Sequence, residues 1–221
     1  MKAKLSITGM VLFILYSTCL NAQSFRKGTL LVGISEGSTM ARYTTSDVYT
    51  HQVINDAIIK GDRDPLQIEY GISKRWGLSL SCGNDIFKIN PQQFYHYSSN
   101  TVMKSKTSEN LVEINYHFFI TNDWDISLFY GLGCYKVELF NEDSKCLSNA
   151  LLTYEKGGIS RYGVKARYYF TNRWAILGMF SAFNSNAHFA NPTNNDIFQN
   201  RIRTDIKGLT LEFGISYKII K

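Results

Sequence analysis

The sequence predicts an all-β protein in which eight antiparallel strands close into an up-and-down transmembrane β-barrel. Three observations lead to this prediction: long stretches in which apolar and polar residues alternate, three similar short turns that each end in tryptophan, and longer polar segments between the hairpins. Alternation with a period of two is the pattern of a strand with one apolar face. Short turns that alternate with long loops are the layout of barrels that cross outer membranes.

The three short turns look like copies of one another. Residues 73–76, 121–124 and 171–174 each run from Ser or Thr through two polar residues to tryptophan, and they hold all three tryptophans of the chain. They recur at intervals of about 50 residues, so the repeating unit is a pair of strands with its turn.

Strands with alternating side chains lie on both sides of each turn, and one more strand stands at either end of the chain. They are predicted at 30–34, 66–73, 76–83, 112–118, 124–133, 161–170, 174–182 and 209–219. Four long connections carry Asn, Asp, Ser, Thr, Lys and Pro, the residues of exposed loops. These loops are predicted at 42–63, 89–109, 141–157 and 188–206.

A soluble eight-stranded barrel or a β-sandwich shares the alternation, because both have one apolar face. Three features favour the membrane barrel. The apolar stripes run for about 9 to 12 residues, which suits a tilted membrane strand. Trp76, Trp124 and Trp174 stand at the turn ends of their strands, where they form a predicted aromatic girdle at one membrane interface.

The polar stripe between the apolar positions is the third feature that favours a barrel. In an eight-stranded barrel it points into a lumen that side chains fill, and charges buried there must pair. We therefore predict a structural ion-pair network rather than a catalytic or ion-conducting site, with His117 as a satisfied residue of the lumen. The predicted network consists of Glu69, Glu113, Asp125, Arg161, Lys165, Arg167, Glu212 and Lys218.

The N-terminus has the pattern of a secretory signal peptide. Lys2 and Lys4 precede a short apolar stretch at 10–20, and small residues lead to a predicted cleavage after Ala22. The stretch is too short for a membrane helix, which needs about 20 apolar residues. We expect a signal peptide at 1–22 and an exported barrel domain at 23–221.

Charge and cysteine content narrow the classes of function. Removing Lys2 and Lys4 lowers the formal charge from +6 to +4, and no basic run marks a nucleic-acid site. Cys82, Cys134 and Cys146 leave at least one thiol unpaired; Cys134 and Cys146 flank one loop, so either they form a disulfide or all three thiols are free. No spacing of cysteine and histidine suggests a metal site, and no cofactor is expected.

The whole layout resembles the small outer-membrane β-barrel family that includes the OmpA, OmpX and OmpW types. The Thr-Asn-x-Trp turns and the Ala22–Gln23 junction are similar to those of Bacteroidetes barrels. The resemblance implies a porin-like cell-envelope protein of a Gram-negative bacterium, monomeric and in contact with outer-membrane lipid and lipopolysaccharide. It also implies that the barrel assembly machinery recognises the final strand, 208–221, although this strand ends in lysine and Tyr217 would take the place of the usual terminal aromatic residue.

The expected role is non-catalytic, either structural or in surface interactions, and two alternatives stay open. Residues 183–187 resemble the His-x-Ser-Asn-Ala segment of outer-membrane lipid A deacylases, which would make Ser185 the nucleophile of a lipid A-modifying hydrolase. The base position two residues earlier is Phe183, and His188 falls on the other face of a regular strand. The second alternative is a narrow channel for small or apolar solutes.

Four cations in the predicted loops are candidates for contacts with lipid phosphates. They are Lys104, Lys106, Arg201 and Arg203. The alternative is that each is an ordinary solvated loop charge.

Overall fold

The structure, a computed structural model, describes residues 25–47, 49–89, 103–141, 151–189 and 202–220. The expected signal peptide at 1–22 lies outside this part of the chain and stays a prediction. None of the described residues belongs to a helix that is long and apolar enough to cross a membrane. The described chain consists of β-strands and the turns that join them.

Nine strands within the described ranges form one antiparallel sheet that closes on itself, because β1 pairs with β9 along its entire length. The strands β2 and β3 share one position of the ring, since both pair with β1 on one side and with β4 on the other. The ring therefore has eight positions, and the predicted eight-stranded antiparallel barrel is confirmed. The strands are β1 (Leu30–Asp47), β2 (Val53–Arg63), β3 (Leu66–Gly71), β4 (Trp76–Ile89), β5 (Met103–Ile120), β6 (Trp124–Asn141), β7 (Leu151–Tyr169), β8 (Trp174–Phe189) and β9 (Ile202–Ile220).

The break between β2 and β3 falls at Asp64 and Pro65. Proline has no N–H to give to a sheet, which confines it to edges and irregular positions. The neighbouring strands nevertheless bond to the break: the N–H of Asp64 donates to the carbonyl of Asn84 at 3.2 Å, and the N–H of Ser35 donates to the carbonyl of Pro65 at 3.2 Å. The segment at the break therefore stays hydrogen-bonded to the strands on both sides.

The register of the ladders fixes the stagger of the barrel. A path of directly opposed residues that leaves β1 at Met40 and crosses every ladder returns to β1 at Leu30, a displacement of 10 residues. With eight strands, this stagger corresponds to a strand tilt of about 40°. Each residue then advances about 2.5 Å along the barrel axis, which allows positions on different strands to be compared by height.

The predicted loops are too long, and the one at 42–63 is the clearest error. β1 continues to Asp47 and β2 begins at Val53, so most of that segment is a hairpin. At this end of the barrel the apolar side chains change face: Tyr43 and Ile59 point inward while Lys60 points outward. The outward apolar stripe on which the prediction depended therefore ends while the strand continues.

The other three loop predictions fail at one boundary each. The loops predicted at 89–109, 141–157 and 188–206 overlap the first residues of β5, β7 and β9, which begin at Met103, Leu151 and Ile202. The remaining parts of these three loops lie mostly outside the described residues.

The three tryptophan turns share one hydrogen-bond design. The hydroxyl oxygens of Ser73, Thr121 and Thr171 accept the N–H groups of the tryptophans three residues later, at 3.0, 2.9 and 2.8 Å. The carbonyl of the residue before each tryptophan accepts an N–H from the following strand at 2.7–2.8 Å. Each turn is thus closed on itself and tied to the next hairpin, which explains why Ser or Thr begins all three.

We expect Thr121→Ala to destabilise the folded barrel by about 0.5–1.5 kcal/mol, the net contribution of one hydrogen bond. The change removes the acceptor of the Trp124 N–H and leaves the ring in place. Urea unfolding in lipid vesicles, followed by tryptophan fluorescence, measures the loss. The matched control is Asn122→Ala, at an exposed position of the same turn. Equal stability of the two variants would contradict this account of the turn.

Candidate functional site

The outer wall of the barrel carries a belt of exposed apolar side chains, which exposed Glu36, Asp62 and Asp64 interrupt on one side. Leu80 is 60%, Leu132 55% and Phe213 63% exposed, and every ring position contributes similar residues. Soluble monomers rarely expose contiguous apolar patches larger than a few hundred Å². The belt is therefore a surface built to contact an apolar medium or a partner.

The predicted girdle residues border this belt at the turn end. Trp76, Trp124 and Trp174 are each 42–45% exposed. Each ring contacts a tyrosine directly opposite on the next strand, with ring centroids 4.6–4.9 Å apart; these partners are Tyr116, Tyr168 and Tyr217. Two of the tyrosine hydroxyls accept a hydrogen bond from a turn arginine, Arg75 at 3.3 Å and Arg173 at 3.0 Å. The rings have an apolar body and a polar edge, as aromatic residues at a membrane interface do.

The opposite border of the belt is polar. Arg42 donates to Asp56 through Nε at 2.7 Å, and both side chains lie outside the belt. The hydrogen bond from Arg42 lowers the pKa of the Asp56 carboxyl below its usual value. Both groups are fully exposed, so water and salt screen this pair.

All eight side chains of the predicted network are buried inside the barrel. The structure brings them together in separate clusters rather than in one chain of pairs. It also adds acids and bases that the sequence did not indicate. The clusters are described below from the turn end upward.

The turn-end cluster centres on Arg167 and His117. Arg167 forms ion pairs with Asp125, at 3.0 Å, and with Glu69. The two ring nitrogens of His117 lie 2.6 Å from Asp125 and 2.8 Å from Glu69. An ionised carboxylate only accepts hydrogen bonds, so both nitrogens must donate and His117 is an imidazolium. Phe25 stacks on its ring at 3.5 Å and covers the cluster from the turn end.

The middle cluster is smaller and holds one acid and one base. Lys165 donates to Glu113 at 2.5 Å and to the side-chain oxygen of Asn115 at 2.9 Å. Gln67 also donates to Glu113 at 2.5 Å. The ammonium of Lys165 lies 4.3 Å from the centre of the Phe129 ring, so its remaining side faces an aromatic surface.

The upper cluster depends on Arg63, a residue that the sequence placed in a loop. Its guanidinium contacts three carboxylates: Asp85 at 3.1 Å, Glu212 at 2.8 Å, and Glu109. Arg161 also pairs with Glu109, at 2.9 Å. The predicted residues Glu212 and Arg161 thus lie in one cluster but are joined through Arg63 and Glu109.

Lys218, the remaining predicted residue, lies at the same end of the barrel as Arg167 and His117. Its side chain is buried at the turn end, with its ammonium 4.9 Å from the centre of the Tyr169 ring. The interior described here holds six carboxylates and five lysine or arginine side chains. The imidazolium of His117 supplies the sixth positive charge, so the lumen is electrically balanced.

The three charged residues that the sequence prediction missed are Arg63, Asp85 and Glu109. A signal for Arg63 was present, because it continues the inward positions of Gln67 and Glu69 across Pro65. The predicted strand ended at Pro65, so Arg63 was not included among the residues of the lumen.

An apolar cluster fills the lumen at the loop end, next to the upper ion pairs. Tyr43, Phe87, Tyr135 and Ile206 are among its members, each 1–3% exposed. Charged clusters below and apolar packing above leave the barrel interior occupied by side chains.

The residues of the deacylase alternative lie in this same interior. Ser185 is buried, and its hydroxyl donates to the carbonyl of Ile206 at 3.1 Å. Phe183 is buried too, with the guanidinium of Arg161 4.8 Å from the centre of its ring. A nucleophile that acts on membrane lipid must be reachable from the outer wall, and Ser185 is not. The side chain of His188 lies outside the described residues.

Neither a disulfide nor a metal centre is found in the part of the chain that the structure describes. Cys82 and Cys134 are free and exposed on the outer wall, and Cys146 lies outside the described residues. No group of three or more described His, Cys, Asp or Glu side chains is arranged to hold a metal ion.

Comparison with known proteins supports the fold. The sequence matches no protein-family model and no curated protein. Among solved structures, the outer membrane protein OprG from Pseudomonas aeruginosa is similar over 90% of this chain and 99% of its own, at 15% identity and a TM-score of 0.53. The outer membrane protein AlkL, determined in lipid bilayers, is similar over 90% of this chain and 93% of its own, at 13% identity and a TM-score of 0.51. The chain therefore has the fold of small outer-membrane β-barrel proteins.

We expect Arg63→Met to destabilise the barrel by about 3–5 kcal/mol, because removing one partner of a buried ion pair leaves the opposite charge uncompensated. Here three carboxylates lose their common cation. The matched control, Asp62→Asn, alters an exposed charge on the same strand. Urea unfolding in vesicles measures both variants, and a loss below about 1 kcal/mol for Arg63→Met would contradict the central role of this residue.

Proposed function

We propose that the protein is an integral β-barrel of the bacterial outer membrane with a non-catalytic role, either structural or in surface interactions. The observation that carries this proposal is the inverted polarity of the barrel. Large apolar side chains cover the outer wall, while Glu69, Arg161 and Arg167 are buried in the interior. In lipid every backbone polar group must be satisfied within the protein, and a closed barrel does this.

The filled interior supports a structural role for the charged clusters. Each carboxylate described above has a cation or a hydrogen-bond donor in contact, and the charges balance. Arg63 alone joins three strands through Asp85, Glu109 and Glu212. A lumen packed in this way offers no continuous aqueous path, which weighs against the channel alternative.

The deacylase alternative loses its central residue for the same reason. Ser185 faces the interior and donates to a main-chain carbonyl, and the position of the base is the buried Phe183. A hydroxyl without an adjacent base is a weak nucleophile. The role we propose is therefore one without a chemical step.

The cellular setting of the proposal follows from the sequence. A signal peptide at 1–22 would direct the chain out of the cytoplasm, and the barrel assembly machinery would recognise the final strand. The short turns would face the periplasm and the long loops the cell exterior. The partners would be the surrounding lipid and lipopolysaccharide, with the barrel as a monomer.

The proposal predicts a heat-modifiable membrane protein that does not conduct. The folded barrel should require detergent or lipid for solubility and should migrate differently on gels before and after boiling. In planar lipid bilayers it should give no stepwise conductance, because side chains fill the lumen. A chain that remains soluble without detergent would overturn the membrane assignment. Regular conductance steps would instead overturn the closed lumen and favour the channel.

The orientation is tested by two cysteine variants in which the native cysteines are replaced by serine. Lys74→Cys lies in a short turn, and Lys106→Cys lies on an exposed position at the loop end. A membrane-impermeant maleimide added to intact cells should label the second and spare the first. Disrupting the outer membrane should make both sites reactive. Preferential labelling of Lys74→Cys in intact cells would require the opposite orientation.

A further inference from the structure

The first described residues of the chain fold back under the barrel wall at its turn end. Residues 25–29, which we call the strap, form a tight loop. Within it, the N–H of Arg26 donates to Oγ1 of Thr29 at 3.1 Å, and the N–H of Thr29 donates to the carbonyl of Arg26 at 3.1 Å. Gly28 has a φ of 83°, in the left-handed region that glycine adopts without strain. The loop turns the side chain of Phe25 back toward the lumen.

Two glycines of the wall leave room for the strap. A Cβ atom at Gly71 would lie 2.4 Å from the carbonyl oxygen of Arg26 and 3.0 Å from Cζ of Phe25. A Cβ atom at Gly77 would lie 3.2 Å from the same ring carbon. The N–H and the carbonyl of Gly71 each form a hydrogen bond with the strap at 2.8 Å. A larger residue at position 71 would push the strap away from the wall.

The ring of Phe25 lies face to face on a buried cation. Its centroid is 3.5 Å from that of the His117 imidazolium, with 10° between the two planes, and both side chains are buried. A cation over an aromatic face is attracted to it, and the attraction is stronger where water is excluded. Within the described residues, no hydrogen bond joins residues 25–27 to the barrel wall. The ring contact is therefore the main fastening of this part of the strap.

The interior behind the ring contains polar atoms that the described protein leaves unpaired. Four buried side-chain atoms at the turn end have no hydrogen-bond partner among the described residues: Oγ of Ser127, Nε of Arg167, Oη of Tyr169 and Oγ of Ser216. Buried polar groups are nearly always hydrogen-bonded, because an unpaired one costs free energy. Water admitted from the turn end would supply the missing partners. The ring contact thus favours a closed turn end, while the unpaired atoms favour an open and hydrated one.

We propose that the strap is a gate at the turn end of the lumen. In the closed state, Phe25 covers His117 and excludes water from the turn-end cluster. In the open state, residues 25–27 swing away at Gly28, and water and small polar solutes reach that cluster. The gate opens a vestibule and not a channel, because the middle and upper clusters fill the lumen beyond it. In the orientation proposed above the vestibule would face the periplasm, but the gate itself does not depend on that orientation.

The test measures the reactivity of a cysteine placed behind the gate. Ser127 is directly opposite His117 on the neighbouring strand, and its hydroxyl is buried and unpaired, so Ser127→Cys is a mild change. The matched control is Ser105→Cys, which has the same properties but lies at the loop end of the lumen, opposite Phe87. Each variant is folded in detergent with the native cysteines replaced by serine. Alkylation by iodoacetamide is followed by mass spectrometry of the intact protein.

With the strap intact, both cysteine variants should react slowly. Phe25→Ala should speed the alkylation of Ser127→Cys roughly 10- to 30-fold, because losing the contact with a desolvated cation raises the open population by about that factor. Gly71→Ala should act in the same direction, since its Cβ displaces the strap while the ring and the charged cluster stay unchanged. Lys27→Ala, at an exposed position of the strap, should leave the rate as it is. None of these changes should affect Ser105→Cys.

Equal alkylation rates of Ser127→Cys with and without the Phe25 ring would overturn the gate. Equal acceleration of both cysteine variants would show a loosening of the whole barrel, which would also overturn it. If Lys27→Ala acted as strongly as Phe25→Ala, the ring would have no special role and the proposal would fail. Should Phe25→Ala not fold, Gly71→Ala makes the same comparison. A protein that is soluble without detergent would overturn the proposed function but not the gate, whose test needs only the folded barrel.

Discussion

Closure of the sheet between β1 and β9 is the constraint on which the rest of the structure depends. It removes both edges, so no backbone group of the ring positions needs water. The stagger of 10 residues that closes the ring also sets the tilt, and eight strands set a lumen that side chains just fill. Once the lumen has this size, its charges lie within contact distance across the barrel, as Arg167 and Glu69 do.

The charged interior also determines which face of each strand is inside. Because side chains alternate, a slip of one residue in any ladder would exchange the two faces. Here such a slip would place residues like Glu113 and Lys165 in lipid, where a charge near the bilayer centre costs about 2.5–3.5 kcal/mol even on the mildest scales. Buried ion pairs need not stabilise a fold more than apolar packing would. In this barrel, where the outer wall is already apolar, they are the feature that separates inside from outside.

The sequence predicted the parts of the fold that repeat and missed those that do not. The three turns carry a local signal, Ser or Thr followed by tryptophan, and the outward stripes carry a periodic one. Arg63 and Glu109 were not predicted because their strands continue past the residues where the outward apolar stripe ends. The pairing of Arg63 with Glu212 was beyond reach for a different reason: it depends on the register of nonadjacent strands, which alternation alone does not fix.

The outer wall and the lumen both change polarity toward the loop end of the barrel. The surroundings of the barrel explain both changes. Toward the turn end the outer wall is mostly apolar and the lumen holds ion pairs; toward the loop end Lys60 and Lys88 face outward while Ile59 and Phe87 pack inside. In the proposed membrane location, the part of the barrel beyond the hydrocarbon is surrounded by water and headgroups, so its stability there comes from an apolar core, as in a soluble protein. This apolar core is what allows the strands to continue beyond the proposed hydrocarbon region.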